Sequence, residues 1–463
     1  MTFAQLNMHH SINKAIASSG YETPTDIQAK AIPSLMEGHD MLGSAQTGTG
    51  KTAAFALPII DHVESNPHGG KRAFPQALVL APTRELALQI KDNFDAYSRH
   101  NTVRSVAIFG GMPKRQQIIK VKKGVDVLIA TPGRLLDLMN MKVVKLDHIE
   151  QFVLDEADHM LDMGFIEDVN KIVDALPKVR QTMLFSATIP KAIEQLSKRM
   201  LTRPIRVEIT PQHTPLETID QSVFHVKTNE KLTLLQSVLQ VENVESALVF
   251  IRTKHGCNNV GERLKSLGIN AEIIHGDKTQ PQRQRTLERF KAKKTTVLVA
   301  TDVAARGIDI NSLSHVINYD MPEKPETYLH RIGRTARAGK AGRALSFCSL
   351  QETHLLKAIQ KHINMRIPVS SIQKHVDTAP TPEPKGPKKP SKPYAKNQPR
   401  KSAQESPKKP TRKSGQKNGK QTFAHSNENQ GHPFIKKSNK PYGKKKHKHR
   451  KKNNRFNKDI HAH

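Results

Sequence analysis

Cysteine, acid and long apolar runs are what this chain has little of. Cys257 and Cys348 are its two cysteines in 463 residues. That is too few for a disulfide framework, so a reducing compartment is expected and each thiol reads as structural. No stretch approaches the ~20 apolar residues of a membrane helix. The opening Met1-Thr2-Phe3-Ala4-Gln5 has no basic-then-apolar signal pattern. A soluble, cytoplasmic protein without a membrane partner is expected. Acid is scarce: 42 Asp and Glu face 74 Lys and Arg, for a formal net charge of +32 and a pI near 10.0. Such an excess points to a polyanion, and to nucleic acid first.

The length predicts two or three domains. Over residues 1–208, short apolar runs alternate with helix-like stretches. Ala77-Leu78-Val79-Leu80-Ala81, Val125-Asp126-Val127-Leu128-Ile129-Ala130, Phe152-Val153-Leu154 and Met183-Leu184-Phe185 read as strands buried on both faces. Such strands belong to a parallel sheet covered by helices, in a doubly wound α/β domain. Residues 209–218 contain the polar Thr210-Pro211-Gln212-His213-Thr214-Pro215, a linker. The alternation restarts over 219–375, with strands at Ala247-Leu248-Val249-Phe250-Ile251, Ala271-Glu272-Ile273-Ile274, Val297-Leu298-Val299-Ala300 and His315-Val316-Ile317. Helices are expected over 254–267 and 279–291, the second opened by a capping box of Thr279 and Gln282 with Pro281 in its first turn. Residues 376–463 hold 25 Lys or Arg against 5 Asp or Glu. That composition cannot bury enough apolar surface to offset its ordering entropy, so a disordered basic tail is expected.

The chemistry begins at Ala45-Gln46-Thr47-Gly48-Thr49-Gly50-Lys51-Thr52, between the runs Met41-Leu42-Gly43 and Ala53-Ala54-Phe55-Ala56-Leu57. A glycine-rich loop between strand and helix wraps an anion with its N–H groups, and the helix N-terminus adds positive partial charge. Lys51 would reach the outer phosphates of a nucleotide and Thr52 would hold Mg²⁺. Ala45 stands where the generic pattern wants Gly. Asp155-Glu156-Ala157-Asp158 follows Phe152-Val153-Leu154, at a strand end where α/β enzymes place ligands. Asp155 would hold the Mg²⁺ and Glu156 would orient and deprotonate an attacking water. His330-Arg331-Ile332-Gly333-Arg334-Thr335-Ala336-Arg337 lies in the second domain. Arg334 and Arg337, spaced i, i+3, would share a face if this segment is helical. As arginine fingers they would neutralise charge on the transferred phosphoryl group, which requires the domains to close.

Taken together, these segments resemble the DEAD-box RNA helicases, superfamily 2 enzymes with two RecA-like domains, over roughly residues 3–370. Ala45 to Thr52 matches the family's own A-x-T-G-[ST]-G-K-T, so Ala45 becomes support. Phe3, Gly20-Tyr21 and Pro24-Thr25-Asp26-Ile27-Gln28 resemble the adenine-reading Q motif. The resemblance implies that Gln28 reads the base, that Phe3 helps enclose it, that Tyr21 belongs to the ATP site and that Asp309 lies near the ribose. It implies that Asp158, Ser186, Thr188 and His330 couple ATP state to RNA, Ser186-Ala187-Thr188 being the coupling segment. It also implies RNA contacts by Pro82, Thr83 and Arg84, by Gly110 and Gly111, and by Thr131, Pro132, Gly133 and Arg134. In the second domain these would be joined by Arg252 and Thr253 after Phe250-Ile251, by Gln280 and Arg283, and by Thr301, Asp302, Arg306 and Gly307 within Ala300–Asp309. Hydroxyls, glycine N–H groups and arginines suit phosphate and 2′-OH contact without base reading. Ala336 and Pro281 stand where many members carry Gly. The short N-terminus, compact core and basic tail look most like the bacterial RhlE-like branch.

The activity implied is RNA-stimulated ATP hydrolysis coupled to local, non-processive duplex unwinding or ribonucleoprotein remodelling. Two other readings are an ATP-gated RNA clamp that unwinds little and a non-enzymatic RNA chaperone acting through the tail. Candidate protein partners are ribosome-assembly or RNA-degradation proteins, and the tail is expected to bind structured RNA. Each phosphate that the tail neutralises releases a counterion, so RNA affinity should fall steeply with salt. Deleting residues 376–463 should weaken RNA binding and flatten that slope while basal ATP hydrolysis is kept. Filter binding across a salt series checks this, and an unchanged slope would reduce the tail to a solubility device.

Overall fold

The computed structural model describes residues 1–45, 48–67, 74–209, 219–241, 244–305, 308, 310, 313–336 and 342–370. Gln46, Thr47, Arg306, Gly307, Asp309 and Arg337 lie outside them, as do most of the expected linker and the tail. Two sheets organise these residues. The first holds β1 (Met41–Ser44), β2 (Ala77–Leu80), β3 (Ser105–Ile108), β4 (Val127–Ala130), β5 (Gln151–Leu154), β6 (Gln181–Ser186) and β7 (Ile205–Glu208). Its order is β3-β4-β2-β5-β6-β1-β7. The second holds β8 (Ile219–His225), β9 (Ala247–Phe250), β10 (Ala271–Ile274), β11 (Val297–Ala300), β12 (His315–Asn318) and β13 (Gly342–Cys348), in the order β10-β11-β9-β12-β13-β8. Every pairing in both sheets is parallel. We call the two halves the first and second lobes.

The continuous apolar runs follow from this layering. Strand side chains alternate between faces, and both faces are covered by helices. In the first lobe Val79 and Ile129 enter one core, and their neighbours Leu80 and Leu128 enter the other. The second lobe repeats the pattern, with Val249 and Val299 on one side and Leu248 and Leu298 on the other. Because all strands run the same way, their C-terminal ends share one edge. The phosphate loop leaves β1 there, and so do Pro82 after β2, Thr131 after β4, Asp155 after β5 and Ser186 at the end of β6.

Helices Lys254–Ser266 and Gln280–Lys291 form where expected. The Thr279 N–H donates to Gln282 Oε1 at 2.9 Å, half of the capping box. In the second lobe the turn after β9 has no glycine cradle. Thr253 Oγ1 instead accepts the Gly256 N–H at 3.0 Å and caps the next helix. Helix Pro325–Ile332 stops at Gly333, so Arg334 lies beyond its end, and Arg337, with which it would share a face if the segment were helical, lies outside the described residues. Ala336 then takes φ +53°, a left-handed conformation that Gly adopts at lower cost.

Strand β1 aims the phosphate loop, and Gly43 sets its packing. A Cβ there would sit 2.6 Å from two ring carbons of Phe185, its partner in β6, and Phe185 is itself wedged against Phe55 at 5.5 Å between centroids. Gly43→Ala should therefore destabilise the first lobe by about 1–3 kcal/mol through overpacking. Urea unfolding followed by circular dichroism would show this as a lowered midpoint.

Candidate functional site: a nucleotide cleft and a second cleft between two lobes

The first lobe builds the floor of a cleft of about 430 Å³, lined by Tyr21, Gln28, Gly48, Gly50, Lys51, Thr52, Asp155 and Glu156, with Ile308 and Arg334 from the second lobe. The loop reaches its shape through Gly48 and Gly50, at φ +87° and +94°, a region costly for other residues. A Cβ on Gly50 would also fall 2.4 Å from Gln28 Nε2. Gln28 and Thr25 tie the N-terminal segment to this loop: Gln28 Nε2 donates to the Gly50 carbonyl at 3.1 Å, and Thr25 Oγ1 to the Thr49 carbonyl at 2.8 Å. Lys51 is buried, and its Nζ donates to the Ala45 carbonyl at 2.8 Å, across the mouth of the loop.

Phe3 does not line the cleft. It is buried behind Tyr21 at 6.3 Å between ring centroids. Tyr21 has a second aromatic neighbour, Tyr97, whose hydroxyl lies 3.3 Å from its own. Gln89, Asn93 and Tyr97 all line the cleft and were not singled out from sequence. Their four-residue spacing on helix Arg84–Tyr97 is the signal that marks one helix face.

Asp155 and Glu156 are adjacent and buried, yet their environments push them apart. Burial raises Asp155 to about 7 despite the positive charge of Lys51. Burial opposes ionisation of Glu156 too, but His159, then Lys51 and Arg334, outweigh it and hold that carboxyl down at about 2. His159 Nδ1 lies 2.9 Å from Glu156 Oε2. Arg334 is buried and donates through Nη1 to the Ile308 carbonyl at 2.9 Å. Asp158 links the acidic tetrad to Ser186-Ala187-Thr188. Its Oδ2 accepts the Thr188 N–H and hydroxyl at 3.1 and 3.0 Å, and its own N–H donates to Ser186 Oγ at 3.2 Å.

A second cleft, of about 480 Å³, is lined by Pro82, Thr83, Arg84, Gly110, Thr131, Gly133 and Arg134 from the first lobe and Gly276, Arg283 and Val303 from the second. Gly111 allows Arg84 to approach: a Cβ there would meet Arg84 Nη1 at 2.1 Å. Arg283 is not left to a ligand alone. Its Nε donates to Glu85 Oε1 at 2.8 Å, both side chains 7% exposed, and Gln280 Nε2 donates to the same oxygen at 3.1 Å. Thus Gln280 and Arg283, expected at RNA, form a buried bridge between lobes. Arg252, Thr253, Thr301 and Asp302 do not line this cleft. Arg252 donates to Glu352 and the Met321 carbonyl, Thr253 caps a helix, and Asp302 is held in a bidentate pair by buried Arg331 at 2.6 and 2.7 Å.

Two RecA-like lobes that share a phosphate-loop cleft, with an arginine from the second lobe reaching into it, define a nucleoside-triphosphate hydrolase that works between domains. Residues 25–196 match the DEAD/DEAH box helicase family and residues 230–339 the helicase conserved C-terminal domain. The chain is 43% identical over 360 residues to the DEAD-box ATP-dependent RNA helicase CshA of Bacillus cereus, covering 78% of this chain and 68% of that one. It is 45% identical over 361 residues to the ATP-dependent RNA helicase DeaD of Mycobacterium tuberculosis, covering 78% and 63%. The S. cerevisiae Dbp5 structure bound to RNA and ADP BeF3 superposes with a TM-score of 0.71 at 34% identity, covering 81% of this chain and 97% of that one. The chain belongs to the DEAD-box ATP-dependent RNA helicases. These relatives do not confirm a place in the RhlE-like branch, and they lend no support to the clamp-only or tail-only readings.

The buried Glu85–Arg283 pair should matter only when the lobes meet. In an open form both groups would be solvated, so Glu85→Ala, which leaves Arg283 dry and unpaired on closure, should weaken closure by about 1–3 kcal/mol, or roughly 5–150-fold. RNA affinity measured with a non-hydrolysable ATP analogue should drop by that factor, while nucleotide binding without RNA stays close to wild type.

Proposed function

We propose that this RNA-stimulated ATPase works through one composite active site whose last part arrives only when the lobes meet. The observation that carries this is Arg334, a second-lobe residue, lining the same cleft as Lys51, Asp155 and Glu156. The loop Ala45–Thr52 would cradle the phosphates with its N–H groups, including those of Gln46 and Thr47, and Lys51 would leave the Ala45 carbonyl for the outer phosphates. The N-terminal segment would hold adenine: Tyr21 against its face and Gln28 at its edge, through the amide proton and lone pair that the loop leaves available. Asp309 would approach the ribose.

Among the described residues no cluster of three His, Cys, Asp or Glu would hold a metal by itself. The donor set still fits Mg²⁺, which is commonly held by a carboxylate or two, water and substrate phosphates. Thr52 and Asp155 would supply the protein's share. Asp155, whose proton burial otherwise retains near neutral pH, would bind the cation as its carboxylate.

Glu156 would orient the attacking water and accept its proton. Arg334, joined by Arg337, would neutralise charge developing on the γ-phosphoryl oxygens. RNA would lie in the second cleft against Arg84, Thr131, Pro132, Gly133 and Arg134, gripped by its backbone and therefore without sequence preference. Asp158, bonded to Thr188 and Ser186, would carry the state of one cleft toward the other. In this reading ATP and RNA together close the lobes, the bound strand is bent so that a short duplex melts locally, and hydrolysis resets the enzyme. The basic tail would tether structured RNA. No helix among the described residues is long and apolar enough to cross a membrane, which agrees with the cytoplasmic setting we favour.

Glu156→Gln tests the assignment. It should keep ATP and RNA binding and lose RNA-stimulated turnover by roughly 10²–10⁴-fold, the usual contribution of a general base. Steady-state phosphate release beside fluorescent-nucleotide binding separates the two, and normal hydrolysis would remove Glu156 from the role.

A further inference from the structure

His159 is the residue after the acidic tetrad, and its side chain faces two ways. On one side, Nδ1 lies 2.9 Å from Glu156 Oε2, with the two side chains 4% and 7% exposed. A carboxylate only accepts, so Nδ1 carries the hydrogen and donates it. On the other side, the ring meets His330 of the second lobe edge to face, at 5.0 Å between centroids and 81° between planes. The short helix Ala157–Asp162 makes a second contact with the same second-lobe segment: Asp162 Oδ1 lies 3.3 Å from Lys324 Nζ, and Lys324 caps helix Pro325–Ile332, which carries His330.

Glu156 needs such support. Its backbone sits at φ +52° between strand and helix, a strained conformation held by its surroundings. Its carboxylate must point at a water within hydrogen-bond reach, and misplacement of about 1 Å can cost a hundredfold in rate. An imidazole donating to one carboxylate oxygen fixes that group and leaves the other free.

We propose that His159 is a positioning residue that holds the Glu156 carboxylate for its water and, through its ring contact with His330, makes that hold depend on the seating of the second lobe. The proposal rests on the reading of Glu156 as the base. It gives RNA-stimulated hydrolysis a geometric source within the first lobe: closure seats His330 against His159, and His159 sets the base. This complements the arrival of Arg334 and acts on a different reactant, the water instead of the phosphoryl group.

The test uses the full chain at saturating RNA. His159→Phe keeps a flat ring against His330 and removes the donor. His159→Gln restores an N–H donor without the ring. If the proposal holds, His159→Phe lowers kcat on the order of a hundredfold with KM for ATP nearly unchanged, and His159→Gln recovers part of that loss. The losses from His159→Gln and His330→Ala should then be less than additive, because each removes the same ring contact. A merely structural histidine would instead lower the melting temperature and leave kcat untouched in the folded fraction, which would overturn the proposal. Glu156→Gln runs beside these variants. If it is inactive while His159→Phe turns over at full rate, the positioning role alone falls. If Glu156→Gln is itself active, the base assignment falls and the positioning role with it.

Discussion

The buried ion pair between Glu85 and Arg283 is the constraint on which the two-lobe arrangement turns. Each group is 7% exposed, and each belongs to a different lobe. Taking either out of water alone costs several kcal/mol, and only the partner's charge, with the second donor from Gln280, offsets it. A half-closed enzyme would hold one charge dry and unpaired. The contact therefore favours two states, fully met or fully solvated, over intermediate separations. Its net worth in the closed state is small, because desolvation cancels most of the attraction. Bound ATP and RNA must supply the remaining free energy, which makes closure responsive to ligands instead of spontaneous.

The paired carboxylates show how the same burial yields opposite acidities. Asp155 meets a cation, Lys51, whose ammonium is engaged by the Ala45 carbonyl, and it keeps its proton to about 7. Glu156 has the His159 donor and the field of Arg334, and it is ionised down to about 2. A carboxylate that weakly basic would take the water's proton late, as the bond to phosphorus forms. Its first contribution would be to fix the water's direction, in keeping with phosphoryl transfer, where positioning and charge stabilisation carry most of the catalysis. The neighbour that stays protonated near neutrality is the one whose charge a divalent cation would restore.

Legibility in the sequence followed burial. Strands β2, β4, β5, β9 and β11 are covered on both faces and announce themselves as apolar runs. Strands β7, β8 and β13 escaped notice because their pattern is mixed: Ile205-Arg206-Val207-Glu208 alternates at a sheet edge, and β8 carries Asp220, Gln221 and Ser222. Strand β3 is a four-residue edge strand with a short apolar run, Val106-Ala107-Ile108. The phosphate loop and the acidic tetrad were readable because their chemistry is local. What depends on long-range contact was not. Nothing near Asp302 in sequence shows that Arg331 takes both of its oxygens, and nothing near Arg283 shows that Glu85, 198 residues away, holds its guanidinium. Gln89, Asn93 and Tyr97 had a readable spacing but no local chemistry to draw attention to it.

Both clefts take part of their lining from each lobe: Ile308 and Arg334 at the nucleotide side, Gly276, Arg283 and Val303 at the other. Any ligand that binds the closed arrangement more tightly than the open one shifts the same equilibrium, so the two ligands are coupled without touching. Linkage makes that coupling reciprocal: the factor by which nucleotide tightens RNA must equal the factor by which RNA tightens nucleotide. If Arg334 neutralises the γ-phosphoryl group as proposed, hydrolysis would break the symmetry, since loss of that group would remove the nucleotide's preference for the closed form. RNA then bears the cost of closure alone and is released. Arg334, a second-lobe residue lining the cleft of Lys51, Asp155 and Glu156, is where the proposed finger would turn a binding equilibrium into a directional cycle.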